Sequence, residues 1–250
     1  MSFTALMYHE IRSKQTYEFG QPSPIEVRQN YDDRLPPPLF VSLEDFASQM
    51  EYLHLNHYHT LKLDEVKSYY YNNQSLPEKS VLLTFDDCYQ SLAFFAYPVL
   101  KQYKFHAVSF VVSGWLNEDR KPFTPEKSIC LTEADLLDMR DVFEYANHTD
   151  QFHTRTGTAV SRIMEAADEE FSQDLKHCND LSILEKKDVF AYPFGLYEDR
   201  NIDLLRKNGF QLAFTSQGGR NDKSTDPMLL KRNVVPYFLS FEGFKESLCR

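Results

Sequence analysis

A chain of 250 residues and 29.3 kDa can bury roughly 70–75% of its extended surface and needs no staples to hold a core. With 27 basic against 37 acidic side chains, a formal charge of −10 and no basic block, it is a poor partner for nucleic acid or an anionic membrane surface. Its cysteines, Cys88, Cys130, Cys178 and Cys249, form no CxxC pair and read as reduced thiols rather than zinc-finger ligands.

Residues 3–8 (FTALMY) are apolar and rich in strand formers, which predicts a buried strand ending at His9 and Glu10. A polar segment then runs to Pro38, with Pro22, Pro24, Pro36 and Pro37 excluding regular structure from much of it. A loop of that length either covers a binding site or is a surface excursion. Ser42 and Asp45 make a capping pair ahead of Phe46, Met50 and Leu53, spaced as the buried stripe of a helix. Residues 62–71 read as a short strand and helix, followed by a turn-like stretch.

From there strands and helical spacings alternate: strand 80–85, helix 89–103, strand 107–112, a helix from 131, strand 142–146, a long acidic helix over 159–177, strand 189–192, helix 201–207 closed by Gly209, and strand 211–216. The alternation predicts an α/β fold with a mostly parallel sheet and helices outside. Nothing resembling a linker or low-complexity tract divides it, so one domain over residues 1–250 is expected. Polar clusters that follow the strands should converge at the strands' carboxyl ends.

Four such clusters carry chemistry. In Thr84-Phe85-Asp86-Asp87 two adjacent carboxylates are costly to bury without a compensating cation. A metal ion would hold one acid and leave the other free to accept a proton, although Asp here also caps a helix well. In Asn147-His148-Thr149-Asp150-Gln151-Phe152-His153 the imidazoles are five apart, which on a helix would point them about 140° from each other. That interval suits a curved loop turning both rings to one point, or a pair of ordinary surface histidines. Together His148, His153 and Asp87 would complete an Asp/His/His set with open positions.

Phe190-Ala191-Tyr192-Pro193-Phe194-Gly195 is either a plain strand exit or a turn that bares a backbone N–H toward a developing oxyanion. His9, at the end of the first strand, is either a proton donor or a capped core residue. His54, His57 and His59 look solvated, as does the Glu165, Asp168, Glu169, Glu170 cluster. Trp115 is a sugar-stacking face or rim packing. No phosphate-binding glycine motif is present.

The ordered pieces LMYHEI, LLTFDDCY, NHTDQFH, FAYPFG and DPMLLKR resemble the NodB-like polysaccharide deacetylase family, over residues 3–235. The likeness is greatest to the branch that removes acetyl groups from poly-β-1,6-N-acetylglucosamine. The resemblance implies an irregular (β/α) barrel of about seven strands and one divalent ion, zinc by expectation, with cobalt or nickel as substitutes. It further implies Asp86 as general base, Asp87, His148 and His153 as metal ligands, and the Phe194 N–H in an oxyanion hole. This branch looks circularly permuted, which gives the acid role to His9. Two departures stand out: Cys88 replaces the usual glycine after the acid pair, and Ala191 replaces the usual arginine before the proline turn. Arg232, in a late strand-like stretch, is the candidate replacement for that arginine, and Cys88 is expected to pack.

The expected activity is therefore metal-dependent removal of acetyl groups from N-acetylglucosamine units of a glycan, with a carbohydrate partner and neither nucleic acid nor a membrane span. Alternatives are an O-acetyl glycan esterase and a catalytically silent glycan-binding or scaffold protein. A nonhaem iron oxygenase fits less well, because it leaves the second Asp and His9 without a task. The opening MSFTALMYHE lacks the pattern of a secretory leader. That points to the cytoplasm, or to the cell surface or exterior if a leader was removed.

Overall fold

The structure is a computed structural model in which residues 2–249 are described. Its main sheet contains six parallel strands: β1 (Phe3–Tyr8), β2 (Ser80–Asp86), β3 (Ala107–Val111), β4 (Phe143–Asn147), β5 (Lys186–Ala191) and β6 (Leu212–Phe214). They lie in the order β6-β5-β4-β3-β2-β1, with Arg220–Asn221 antiparallel beyond β1 and His59–Thr60 parallel beside β2. Residues 230–234 bridge the gap between the two edges. Leu230 pairs with Phe214 of β6, and Asn233 and Val234 pair with Leu6 and Met7 of β1. The result is an irregular, partly open (β/α) barrel with outer helices.

Side chains alternate across a strand, and the alternation explains both the core and the site. Ala5, Leu82, Val108, Phe110, Ala146, Ala191, Phe214 and Leu230 form one apolar cluster drawn from all six strands and the bridging segment. Continuing each series by two-residue steps toward the carboxyl end reaches His9, Asp86, His148 and Arg232. The other face, with Leu6, Tyr8, Leu83 and Phe85, packs on the helix Leu43–Leu55 through Phe46, Met50 and Leu53. Ser42 caps that helix by accepting from the Asp45 N–H, as its sequence indicates.

Three expectations change. The short strand expected within 62–71 lies earlier, at His59–Thr60, and Leu63–Tyr71 is helix throughout. The helix over 159–177 is two helices, Arg162–Glu165 and Asp168–Asn179, separated by extended Ala166 and Ala167. The acidic run Asp168, Glu169 and Glu170 starts the second helix, where negative charge meets the positive end of the dipole, and Glu170 accepts from the Ala167 N–H at 3.2 Å. The polar segment before Pro38 is also more ordered than its prolines suggest. Glu10–Arg12 pairs with Phe40–Ser42, and Ser23–Glu26 lies between Arg34–Leu35 and Ser128–Ile129. Those short pairings make it a folded flap over the barrel's carboxyl end. No described helix is long and apolar enough to cross a membrane.

Candidate metal centre and active site

Asp86 ends β2 on the barrel's inner side, and a neighbouring residue would ordinarily face the other way. Asp87 and Cys88 instead take left-handed backbone, with φ of 73° and 55°, a conformation uncommon outside glycine. That turn brings Asp87 to the same site as Asp86. Cys88 is buried against the Ser109 hydroxyl at 3.2 Å and lies outside the ligand cluster, in keeping with a packing role.

The loop after β4 is held by polar side chains. The Asn147 amide donates to Leu175 O and Asn179 Oδ1 while its oxygen accepts from the Thr149 N–H. Asp174 accepts the N–H groups of Asp150 and Gln151 at 2.9 and 2.7 Å. His148 Nδ1 lies 2.8 Å from the Ala191 carbonyl. Because that oxygen can only accept, the ring proton sits on Nδ1 and leaves Nε2 as a lone-pair donor.

The Nε2 atoms of His148 and His153 lie 3.7 and 3.5 Å from Asp87 Oδ1. All three side chains are buried, with ligand atoms within 4.8 Å of one another. Asp87 Oδ1 has no hydrogen-bond partner among the described residues. Burial, reinforced by neighbouring Asp86, pushes the Asp87 carboxyl well above its ordinary range. Burial likewise drives His153 well below the imidazole range and lowers His148. Neutral imidazoles facing an unpartnered carboxylate oxygen fit a divalent ion, which favours the ionised carboxylate and takes the ring lone pairs.

Asp86 sits beside this cluster in a different electrostatic state. Burial raises its carboxyl, but the Arg232 guanidinium, with His148 and His9, outweighs that and holds it below the usual carboxylate range. Arg232 makes a two-pronged contact at 2.7 and 2.9 Å with the two Asp86 oxygens, while its Nε donates to Thr215 O. The guanidinium that meets the Asp86 carboxylate thus comes from residues 230–234, the segment that bridges β6 and β1. His9 Nε2 is 3.7 Å from Asp86 Oδ2, and burial lowers its pKa to about 4 against the opposing pull of Asp86. Phe194 has left-handed backbone at φ 60°, with its ring centroid 4.4 Å from that of His153.

These groups line a cavity of about 360 Å³. The flap supplies one wall through Tyr31, Leu35, Pro36 and Leu39, so this segment covers the site. Trp115 is fully buried and packs on His153 at 4.6 Å in the wall of the cavity. Sequence reasoning missed Tyr31, Asp33, Arg155 and Asp174. Asp174 had a usable signal, since Phe171, Asp174, Leu175 and Cys178 fall on one helical stripe and place a carboxylate on a buried face. The others lie in irregular segments with no periodicity to read.

A carboxylate and two imidazoles ready for one ion, with a second carboxylate held ionised beside them, define a metal-dependent hydrolase. Residues 73–213 match the family model described as polysaccharide deacetylase, and the chain belongs to that family. It is 27% identical to the poly-β-1,6-N-acetyl-D-glucosamine N-deacetylase of Staphylococcus aureus, over 98% of this chain and 84% of that protein. The Streptococcus pyogenes deacetylase PplD shares the fold with a TM-score of 0.77 at 23% identity, covering 99% of this chain and 98% of that one. A de-N-acetylase from Aggregatibacter actinomycetemcomitans does so with a TM-score of 0.75 at 20% identity, covering 99% and 100%.

Proposed function

We propose that this protein hydrolyses the acetamide of N-acetylglucosamine units in a glycan, releasing acetate and the free amine. The observation that carries the reading is the pair of adjacent carboxylates in opposite states. Asp87 faces two imidazoles without a hydrogen bond to Oδ1, and Asp86 is locked ionised by Arg232 within reach of His9. A divalent ion held by Asp87, His148 and His153, with zinc the expected element, would supply Lewis-acid polarisation of the acetyl carbonyl and acidify water at the site.

The chain's own groups handle the protons. Asp86 accepts one from the attacking water as the new C–O bond forms. Held below its usual range, Asp86 is a poor resting place for that proton, and neutral His9, 3.7 Å away, is the better one. His9 then delivers it to the sugar nitrogen as the C–N bond breaks, so the amine does not leave as an anion. The Phe194 N–H donates to the carbonyl oxygen as negative charge develops, a contribution of about 2.7–4 kcal/mol for a well-placed donor.

An ester would need this delivered proton less, because alkoxide is the better leaving group, so His9 beside Asp86 favours the amide. The curated relatives, named as poly-β-1,6-N-acetyl-D-glucosamine N-deacetylases, support the sugar and the branch. We further read the chain as one catalytic domain with permuted motif order. Support comes from β1 lying beside residues 233–234, so that the first strand neighbours a late one.

The test is acetate release from N-acetylated and O-acetylated oligosaccharides by metal-stripped and zinc-restored protein. Zinc should restore release from the N-acetylated substrate. Asp86→Asn should lower kcat by about 10²–10⁴-fold while zinc stoichiometry persists. Faster release from the O-acetylated substrate would overturn the amide assignment.

A further inference from the structure

The cavity is walled on the His153 side by a circuit that includes four residues without a task in the proposed chemistry, Tyr31, Asp33, Trp115 and Arg155. Tyr31 of the flap packs on Trp115 with ring centroids 4.7 Å apart, and Trp115 packs on His153. His153 meets the Phe194 ring, and the Arg155 guanidinium lies 4.8 Å over that ring. Arg155 then returns to the flap, where its Nε and terminal nitrogen both lie 2.7 Å from Asp33 Oδ2. A second tie runs alongside, from the Gln29 side chain to Gln151 O at 3.0 Å.

A polymer held by an interior unit needs an opening on each side of the unit that reacts. Here the flap and the loop bearing His153 are joined across one of those sides. At about 360 Å³ the cavity is near the small end of the roughly 300–1,000 Å³ range of ligand pockets. It suits one acetylated sugar rather than a chain passing through.

On the deacetylase reading above, we infer that the site takes a single N-acetylated sugar at a chain end, and that the contacts joining flap to loop, the Asp33–Arg155 ion pair among them, disfavour interior units. Asp33 and Arg155 are then specificity residues. The pair is partly exposed, with side chains 33% and 27% accessible, so it can open and is sensitive to salt.

Trp115 is the only tryptophan, and its emission reports on the circuit without requiring turnover. The experiment titrates zinc-restored protein with the dimer and pentamer of β-1,6-linked N-acetylglucosamine, and maps by mass spectrometry which unit of the pentamer loses acetate. Wild type should bind both with Kd values within about two-fold and deacetylate terminal units. Asp33→Asn should tighten pentamer binding relative to dimer by about two- to five-fold, the shift expected from losing a partly exposed ion pair, and admit interior deacetylation. Wild type in about 1 M salt, where the pair is screened, should move in the same direction.

Affinity rising with every added unit in wild type overturns the inference, as does interior deacetylation by wild type equal to terminal. So does a length preference unmoved by both Asp33→Asn and salt. Equal binding of both lengths, sensitive to Asp33 but without acetate release, would overturn the deacetylase reading and leave the closed pocket standing.

Discussion

Asp86 and Asp87 are consecutive, chemically identical and almost equally buried, yet their environments drive them apart. The difference is Arg232, whose planar fork meets both oxygens of Asp86 in a geometry that lysine cannot reproduce. Removing one partner of such a buried pair strands the other charge, at about 3–5 kcal/mol. Arg232→Met should therefore lose that much stability in urea unfolding at neutral pH. Its Asp86 carboxyl should rise toward protonation, so the acid limb of the kcat/KM profile moves to higher pH while zinc stoichiometry persists. Arg232→Lys should fall between the two, because it keeps the charge and loses the fork. An unmoved acid limb in Arg232→Met would show that another group sets the state of Asp86.

The loop bearing His148 and His153 depends on the helix Asp168–Asn179, which supplies Asp174 as acceptor for two loop N–H groups. Burial raises the Asp174 carboxyl to about 6, against the opposing effect of those donors. The folded value lies above the ordinary 3.8 that the unfolded chain takes, so between these values the native state retains the extra proton. Stability then falls as pH rises through that window, by about 2–3 kcal/mol from this one group. Urea unfolding of wild type and Asp174→Asn across the same pH range checks the sign: the wild-type curve should carry a downward component that the variant lacks. The variant should also bind zinc about 10–100-fold more weakly, as loss of a group that orients metal ligands commonly does.

At the scale of the whole molecule, the two ends of the barrel do different work. At the amino end Glu144 of β4 lies 2.9 Å from the ring of His106, just before β3, and 3.0 Å from the Lys186 ammonium of β5, contacts that tie the three strands together. The carboxyl end gathers buried groups whose charges conflict until an ion joins Asp87, His148 and His153. Saturating zinc, at about 100 times its Kd, should stabilise the fold by about 2.7 kcal/mol and raise Tm by about 5–10 °C for a chain of this size. Chelation should reverse the shift, and His148→Ala should abolish most of it. Burial lowers both imidazoles below the ordinary 6.5 but raises the third ligand, Asp87, so on acidification the zinc-dependent shift should be lost with protonation of that carboxyl rather than of the imidazoles.

The strand and helix succession, the acid pair and the spaced histidines were legible because each rests on local information, whereas Arg232 became a candidate only through the family resemblance. Apolar period identifies strands and helices, turn residues mark the strand ends, and a parallel sheet brings those ends together. The break at Ala166 and Ala167 was not legible, since alanine suits a helix and both nonetheless take extended backbone here. Nor were the flap's short pairings, which draw partners from distant segments: Ile25 lies opposite Ser128, and Asp33 meets Arg155. Residue types and local order thus determined which groups could do the chemistry. Tertiary structure decided which carboxylate is ionised and how the cavity closes, because charge state and enclosure depend on neighbours that the chain brings close only when it folds.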